Sequence, residues 1–226
     1  MAAADRPAVT APTELERLVA VMSTLREQCP WDSQQTHRCL VPYLVEETCE
    51  VVEAVEGLPE RTVAGAGPAA AHLQEELGDL LLQVVFHAEL ASEADDGFDL
   101  DDVAAGITDK LVRRHPHVFA AETAPADLHG VWEQRKAAEK GRTSALEGIP
   151  ERLSALSRAS KIIGRSRSHR VPLSLPTEPI EAAALGHQIL DLVARAQASG
   201  LDAEQAVREA VRDLEAEVRT TETAAT

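Results

Sequence analysis

Residues 69–93 constrain the fold more than any other part of this 226-residue sequence, because they form its longest stretch of helical periodicity. At about 100° per residue, Glu76, Asp79, Gln83 and His87 fall in a strip only about 80° wide on the helix surface. Apolar side chains cover most of the remaining surface. A polar strip this narrow is not a solvent face, so the pattern predicts a long helix packed among other helices.

The rest of the chain supports an all-α fold, in which a helical bundle surrounds that helix. Only two Trp, one Tyr and three Phe occur, and no alternating strand pattern of useful length is present. Thr13 and Glu16 have the spacing of a capping box, and Asp202 is a plausible N-cap. We predict helices over 13–26, 36–57, 69–93, 99–115, 131–140, 180–199 and 203–218.

Composition excludes several functional classes. A net charge of −16 argues against nucleic-acid binding, which needs clustered Lys and Arg. No apolar run approaches the roughly 18 residues of a membrane span, and the N-terminus lacks the features of a signal peptide. We therefore expect a cytoplasmic protein without a membrane partner. Cys29, Cys39 and Cys49 are odd in number, which favours reduced thiols over disulfides or a zinc site.

Two acidic pairs share the same i, i+3 spacing on consecutive predicted helices: Glu47 with Glu50, and Glu76 with Asp79. If the two helices are antiparallel neighbours, the four carboxylates converge on one cation, and hard oxygen ligands favour Mg²⁺ or Mn²⁺. Acidic residues on helices more often form a solvated face. Spacing alone leaves both interpretations open.

The order of these motifs resembles the ExxE…ExxD signature of the all-α nucleotide pyrophosphohydrolases, and the flanking segments narrow the resemblance to the MazG family. The resembling segments extend from Cys29 to about Lys140: CPWD (29–32), QTH (35–37), PYLVEE (42–47), ELGDLL (76–81), DKLVRRHPHVF (109–119) and WEQRK (132–136).

The resemblance implies an enzyme that converts a nucleoside triphosphate and water into the monophosphate and pyrophosphate. It assigns Glu47, Glu50, Glu76 and Asp79 to Mg²⁺, with Mn²⁺ as a substitute, and implies antiparallel metal-binding helices. Glu46 is either the base that takes the proton of the attacking water or a carboxylate that supports a metal ligand.

The resemblance also assigns residues that bind the substrate. Lys110 and Arg114 match positions that contact phosphates, with Arg113 beside them, although a cationic helix end that complements the helix dipole is the simpler alternative. Trp132 and Lys136 match a pair in which the indole stacks on the base and the amine reaches phosphate or ribose. Trp31 either lines the base pocket or anchors packing.

The resemblance predicts a catalytic domain over 13–145, preceded by a disordered segment, 1–12. Residues 146–226 retain only a weak similarity to the motifs, centred on Leu185 and Gly186. They form either a degenerate second unit or an unrelated helical region, with a linker over 165–179.

Pairing of subunits in relatives predicts a homodimer. Two other hypotheses stay open: a nucleotide-binding regulatory module without turnover, and a purely structural bundle.

Overall fold

The computed structural model describes residues 12–59, 67–120, 123–125 and 127–224. Within these ranges the chain is helical and contains no strand, which confirms the predicted all-α class. None of the described helices is both long enough and apolar enough to cross a membrane. The helices are α1 Glu14–Gln28, α2 Val41–Glu56, α3 Pro68–Ser92, α4 Leu100–Arg114, α5 Pro116–Phe119, α6 Leu128–Glu139, α7 Ala155–Ser168, α8 Ala182–Ala198 and α9 Ala203–Ala224.

Helix ends follow the local sequence signals. Thr13 caps α1 through a complete capping box, since its hydroxyl accepts from the Glu16 backbone N–H and the Glu16 carboxylate accepts from the Thr13 N–H. Asp202 accepts from the backbone N–H of Gln205 at the start of α9. Gly200, with φ of 69°, follows α8 in the left-handed conformation that favours glycine. The predicted caps at Thr13 and Asp202 are thus confirmed.

The start of α2 differs from the prediction, because the helix begins at Val41 instead of residue 36. The side chain of Thr36 accepts from the backbone N–H of Cys39, which holds residues 36–39 in a turn. Pro42 lies in the first turn of α2, where its missing N–H costs no helical hydrogen bond. A short 3₁₀ turn over Asp32–Gln34 precedes this segment.

Helix α7 was not predicted, and it contains the first residues of the predicted 165–179 linker. Ser and Arg are frequent here and resemble a loop by composition. Ser154 nevertheless caps the helix by accepting from the Ser157 N–H, and Ala155 and Ile162 lie fully buried in the core. Tertiary packing therefore outweighs the weak intrinsic preference of this segment.

The chain divides into two compact units between Arg113 and Arg114. The first has a core of Met22, Leu40, Val85 and Phe86, against which Leu100 packs. Leu40, just before α2, thus lies beside the second half of α3. Glu47 and Glu50 of α2 lie beside Glu76 in the first half of α3, so the two helices are antiparallel, as predicted.

The second unit has its own core, formed by Ala145, Ile149, Ile162, Val211 and Val218. Helix α7 packs along α9. Arg158 and the buried Glu215 form an ion pair of 2.6 Å between these helices. The proposed catalytic domain over 13–145 and the degenerate repeat after 146 stay predictions. The predicted disordered segment lies outside the described residues except for Pro12.

Candidate active site

Three of the four predicted metal ligands converge between α2 and α3. Carboxylate oxygens of Glu47, Glu50 and Glu76 all lie within 4.8 Å of one another. Glu76 is 9% exposed, Glu47 is partly buried and Glu50 is exposed. The cluster therefore has a buried side on α3 and an open side on α2, from which a ligand can enter.

The site raises the pKa of two of its carboxyl groups. Burial raises the pKa of Glu47, and a hydrogen bond with Glu50 together with the negative charges of Asp79, Glu50 and Glu46 raises it further. Burial and the charge of Glu50 raise the pKa of Glu76, although His72 opposes that shift. Ionising these groups without a counter-ion is therefore unfavourable.

Asp79, the fourth predicted ligand, is partly buried one turn after Glu76. It lies outside the closest trio, yet its charge raises the pKa of both Glu47 and Glu76. Glu46 is exposed on α2 and its charge also acts on Glu47. All five predicted acidic residues thus belong to one electrostatic cluster.

This donor set fits a hard divalent cation. Every member of the trio offers carboxylate oxygen, and oxygen ligands suit Mg²⁺ and Mn²⁺. Burial and then neighbouring negative charge raise the pKa of Glu47 and Glu76, and a bound divalent cation would oppose both effects.

A second group of possible metal ligands, which was not predicted from the sequence, lies beside the trio. His72, Glu75 and Glu76 also place their ligand atoms within 4.8 Å of one another, and Nδ1 of His72 lies 3.1 Å from Glu76 Oε1. The signal was present in the i, i+4 spacing of His72 and Glu76 on one helix. Glu76 therefore belongs to both groups.

Two histidines hold the segment before α2 against α3. The Nδ1 atoms of His37 and His87 lie 2.8 Å apart, and the ring planes are parallel to within 3°, with centroids separated by 5.1 Å. Burial, with a smaller contribution from His37, lowers the pKa of His87. On the same strip of α3 the Gln83 side chain is buried. These contacts set the position of α2 along α3.

The predicted phosphate ligands differ in their surroundings. Lys110 is partly buried and Arg113 is exposed on α4. Arg114 is only 4% exposed, and its guanidinium donates to the Glu139 carboxylate, with an Nε to Oε2 distance of 2.9 Å. In this structure Arg114 is therefore held by a carboxylate of α6.

In the second unit, Trp132 forms one wall of a cavity of about 540 Å³. His115 lies 4.5 Å from its ring centroid, and the cationic groups of Arg114 and Lys136 each lie 5.6 Å from it. Further walls come from Pro125, Leu128, Val131, His117 and Arg135. The indole thus combines an apolar surface with neighbouring positive charge, which suits an aromatic anionic ligand.

Trp31 lies in the first unit and is half exposed. Its ring meets the Tyr43 ring edge-on, with centroids 5.9 Å apart. This contact anchors the loop after α1 to the first turn of α2 and leaves half of the Trp31 surface exposed. The packing role and the base-stacking role predicted for Trp31 are both compatible with this arrangement.

Comparison with known proteins places these features in a family. The family model described as the MazG nucleotide pyrophosphohydrolase domain matches residues 35–119, which include the carboxylate cluster and Lys110. An uncharacterized 26.1 kDa protein from the blaB 3' region of Streptomyces cacaoi is 43% identical over 211 residues, covering 91% of this chain and 81% of the relative.

Two relatives are named nucleoside triphosphate pyrophosphohydrolase. The protein of Escherichia coli K12 is 44% identical over 157 residues, covering 66% of this chain and 56% of its own length. That of Mycobacterium tuberculosis H37Rv is 37% identical over 204 residues, covering 88% and 56%. The chain therefore spans little more than half the length of these two relatives.

Proposed function

Because the chain belongs to the MazG family, we propose that it hydrolyses nucleoside triphosphates to the monophosphate and pyrophosphate at the α2–α3 carboxylate cluster. The convergence of Glu47, Glu50 and Glu76 within 4.8 Å supports this proposal most strongly. Solvated acidic residues would repel and separate, whereas these three share one site between packed helices.

We propose Mg²⁺ as the cofactor, with Mn²⁺ as a substitute, held by Glu47, Glu50, Glu76 and Asp79. A bound ion would supply charge neutralisation at the triphosphate and would lower the pKa of the attacking water. Glu46 is the remaining carboxylate of the cluster and is exposed. We propose that it either accepts the proton of that water or supports Glu47 as a metal ligand.

For the phosphates we propose Lys110 and Arg113, which add positive charge in a chain of net charge −16. Arg114 joins them only by exchanging the Glu139 carboxylate for a phosphate oxygen, since its donors face Glu139 in this structure. For the base we propose stacking on Trp132 with Lys136 beside it, and Trp31 as a second aromatic contact.

We also propose that the protein is a homodimer. Leu77, Leu81 and Val84 form an exposed apolar stripe on α3, although sequence analysis predicted this helix to be packed on all sides but the polar strip. Val103, Ile107 and Leu111 form a similar exposed stripe on α4. Apolar faces of this kind typify subunit interfaces, and a second copy would bury them.

Pyrophosphate release tests the proposed function directly. We expect release from nucleoside triphosphates with Mg²⁺ or Mn²⁺, none after chelation, and loss of release in Glu50→Ala and Asp79→Ala. Glu56→Ala, an exposed carboxylate at the end of α2, is the matched control and should keep full activity.

Two outcomes would replace the proposal. Nucleotide binding by calorimetry without pyrophosphate release would indicate a regulatory module. No change of melting temperature with nucleotide and Mg²⁺ would indicate a structural bundle, because ligand binding to the folded state raises stability.

A further inference from the structure

The cavity beside Trp132 contains a polar group that the proposed function does not use. The Nδ1 atom of His117 is enclosed and forms no hydrogen bond within the described part of the chain. The same imidazole lines the cavity. A buried polar atom without a partner is unfavourable, and such atoms are few in folded proteins.

We propose that His117 is a specificity-determining residue, whose imidazole N–H donates a hydrogen bond to the carbonyl oxygen of a keto base, such as O6 of guanine or O4 of uracil and thymine. This inference rests on the proposed function and deepens it by naming the class of base. Trp132 and the apolar walls pack against the ring of any base. His117 contacts the polar edge of the base, where keto bases differ from amino bases.

The dimensions of the cavity suit this role. Its volume of about 540 Å³ lies within the range of roughly 300 to 1,000 Å³ of small-molecule sites. Leu128 and Val131 supply apolar surface beside the indole. This surface packs against the faces of any planar base and does not distinguish one base from another. Discrimination therefore has to come from the polar groups on the lining.

The proposed hydrogen bond requires a nitrogen of the His117 ring to face the cavity. His117 lies in the short helix α5, and its ring packs against that of His115 with centroids 5.6 Å apart. With Nδ1 unpaired, no hydrogen bond of this atom fixes the ring, and a half-turn about Cβ–Cγ moves Nδ1 to the opposite edge. A hydrogen bond to a base would then satisfy an imidazole nitrogen that lacks a partner.

The lining favours acceptors on the ligand. Its polar side chains are the guanidinium groups of Arg114 and Arg135 and the imidazoles of His115 and His117, and no carboxylate is among the described lining residues. Glu139, which pairs with Arg114, does not line the cavity. A donor-rich lining matches the carbonyl edge of a keto base better than an exocyclic amino group.

The test compares dGTP with the 2-aminopurine deoxyribonucleoside triphosphate, whose base lacks O6 and the proton on N1. We expect wild type to favour dGTP by about tenfold in kcat/KM, the effect of one hydrogen bond. His117→Phe keeps a planar ring without nitrogens and should bring the ratio close to one. His117→Gln restores an N–H and should recover part of the preference.

Several results would overturn the proposal. These are a wild-type ratio near one, an unchanged ratio in His117→Phe, or equal loss of both substrates in that variant, which a merely structural role would produce. His187→Phe, a surface histidine on α8, is the control and should leave the ratio unchanged.

Failure of the proposed function is distinguishable from failure of this inference. If wild type releases no pyrophosphate from any nucleotide, calorimetry with dGMP and the 2-aminopurine deoxyribonucleoside monophosphate measures the same preference as a ratio of Kd. If His117→Phe weakens the preference for dGMP, the result supports base recognition without hydrolysis. Equal Kd values in wild type overturn it.

Discussion

The Nδ1 atoms of His37 and His87 lie within hydrogen-bond distance, 2.8 Å apart, and this contact connects the segment before α2 with the second half of α3. One of the two nitrogens has to be unprotonated for the hydrogen bond to form. The carboxylates of α2 reach those of α3 only when the two helices keep this register. The histidine pair is therefore a positioning contact for the cluster.

Removing this contact should weaken the first unit in a pH-dependent way. We expect His37→Ala to lower the free energy of unfolding by about 1 kcal/mol at pH 7.5. Because burial lowers the pKa of His87 in the folded chain, the unfolded state binds more protons below about pH 6.5, and wild-type stability falls as the pH falls.

Thermal unfolding between pH 7.5 and 5.5 measures this effect. A His87→Asn variant, whose side chain does not titrate in this range, should show a flatter dependence than wild type. His187→Ala is the surface control. Parallel curves for wild type and His87→Asn would contradict the assignment of the pH dependence to His87.

A substitution that removes a charge from the carboxylate cluster should raise stability and lower activity. In metal-free protein at pH 7.5 we expect Glu76→Gln to raise the melting temperature by a few degrees, because it removes a buried charge that Glu50 repels. Hydrolysis should fall by on the order of 100-fold or more, since Glu76 is a proposed ligand of the metal. Melting curves with EDTA and with Mg²⁺ measure the first effect.

The pH dependence of that stability gain has a defined sign. The pKa of Glu76 is higher in the folded chain, so the folded state holds more protons above about pH 4.3, and the free energy of unfolding falls as the pH rises. The advantage of Glu76→Gln should therefore vanish near pH 4. An equal advantage at pH 4 and 7.5 would be inconsistent with electrostatic repulsion.

The sequence predicted the parts of the site that depend on local spacing. The i, i+3 pairs on α2 and α3, together with the family resemblance, predicted the cluster, and the narrow polar strip predicted that α3 packs among other helices. The pairing of Arg114 with Glu139 spans 25 residues and leaves no periodic signal. Helix α7 also escaped prediction, because burial of Ile162 depends on α9, which is distant in the sequence.

The Arg114–Glu139 pair provides a test of phosphate binding. The two side chains are 5% and 18% exposed, so Glu139→Gln leaves a buried cation without its partner and should lower the free energy of unfolding by about 3 kcal/mol. If Arg114 exchanges Glu139 for phosphate, nucleotide should raise the melting temperature more in this variant than in wild type.

Glu209→Gln is the matched control for that experiment. It breaks the exposed pair of Arg212 and Glu209, whose atoms lie 3.6 Å apart, and should cost less than about 1 kcal/mol. Equal nucleotide-induced shifts in wild type and Glu139→Gln would show that Arg114 only holds α6 and Trp132.

The apolar stripe on α3 gives a test of the proposed homodimer. Leu81 is 39% exposed in the single chain, so Leu81→Glu should leave the folded subunit intact and yet introduce a charge into the interface. We expect sedimentation to show dimers for wild type and monomers for this variant. Leu190→Glu, at a 64% exposed position of α8, is the control and should remain dimeric. A Leu81→Glu dimer of unchanged affinity would place the interface elsewhere, and monomeric wild type would remove the proposal.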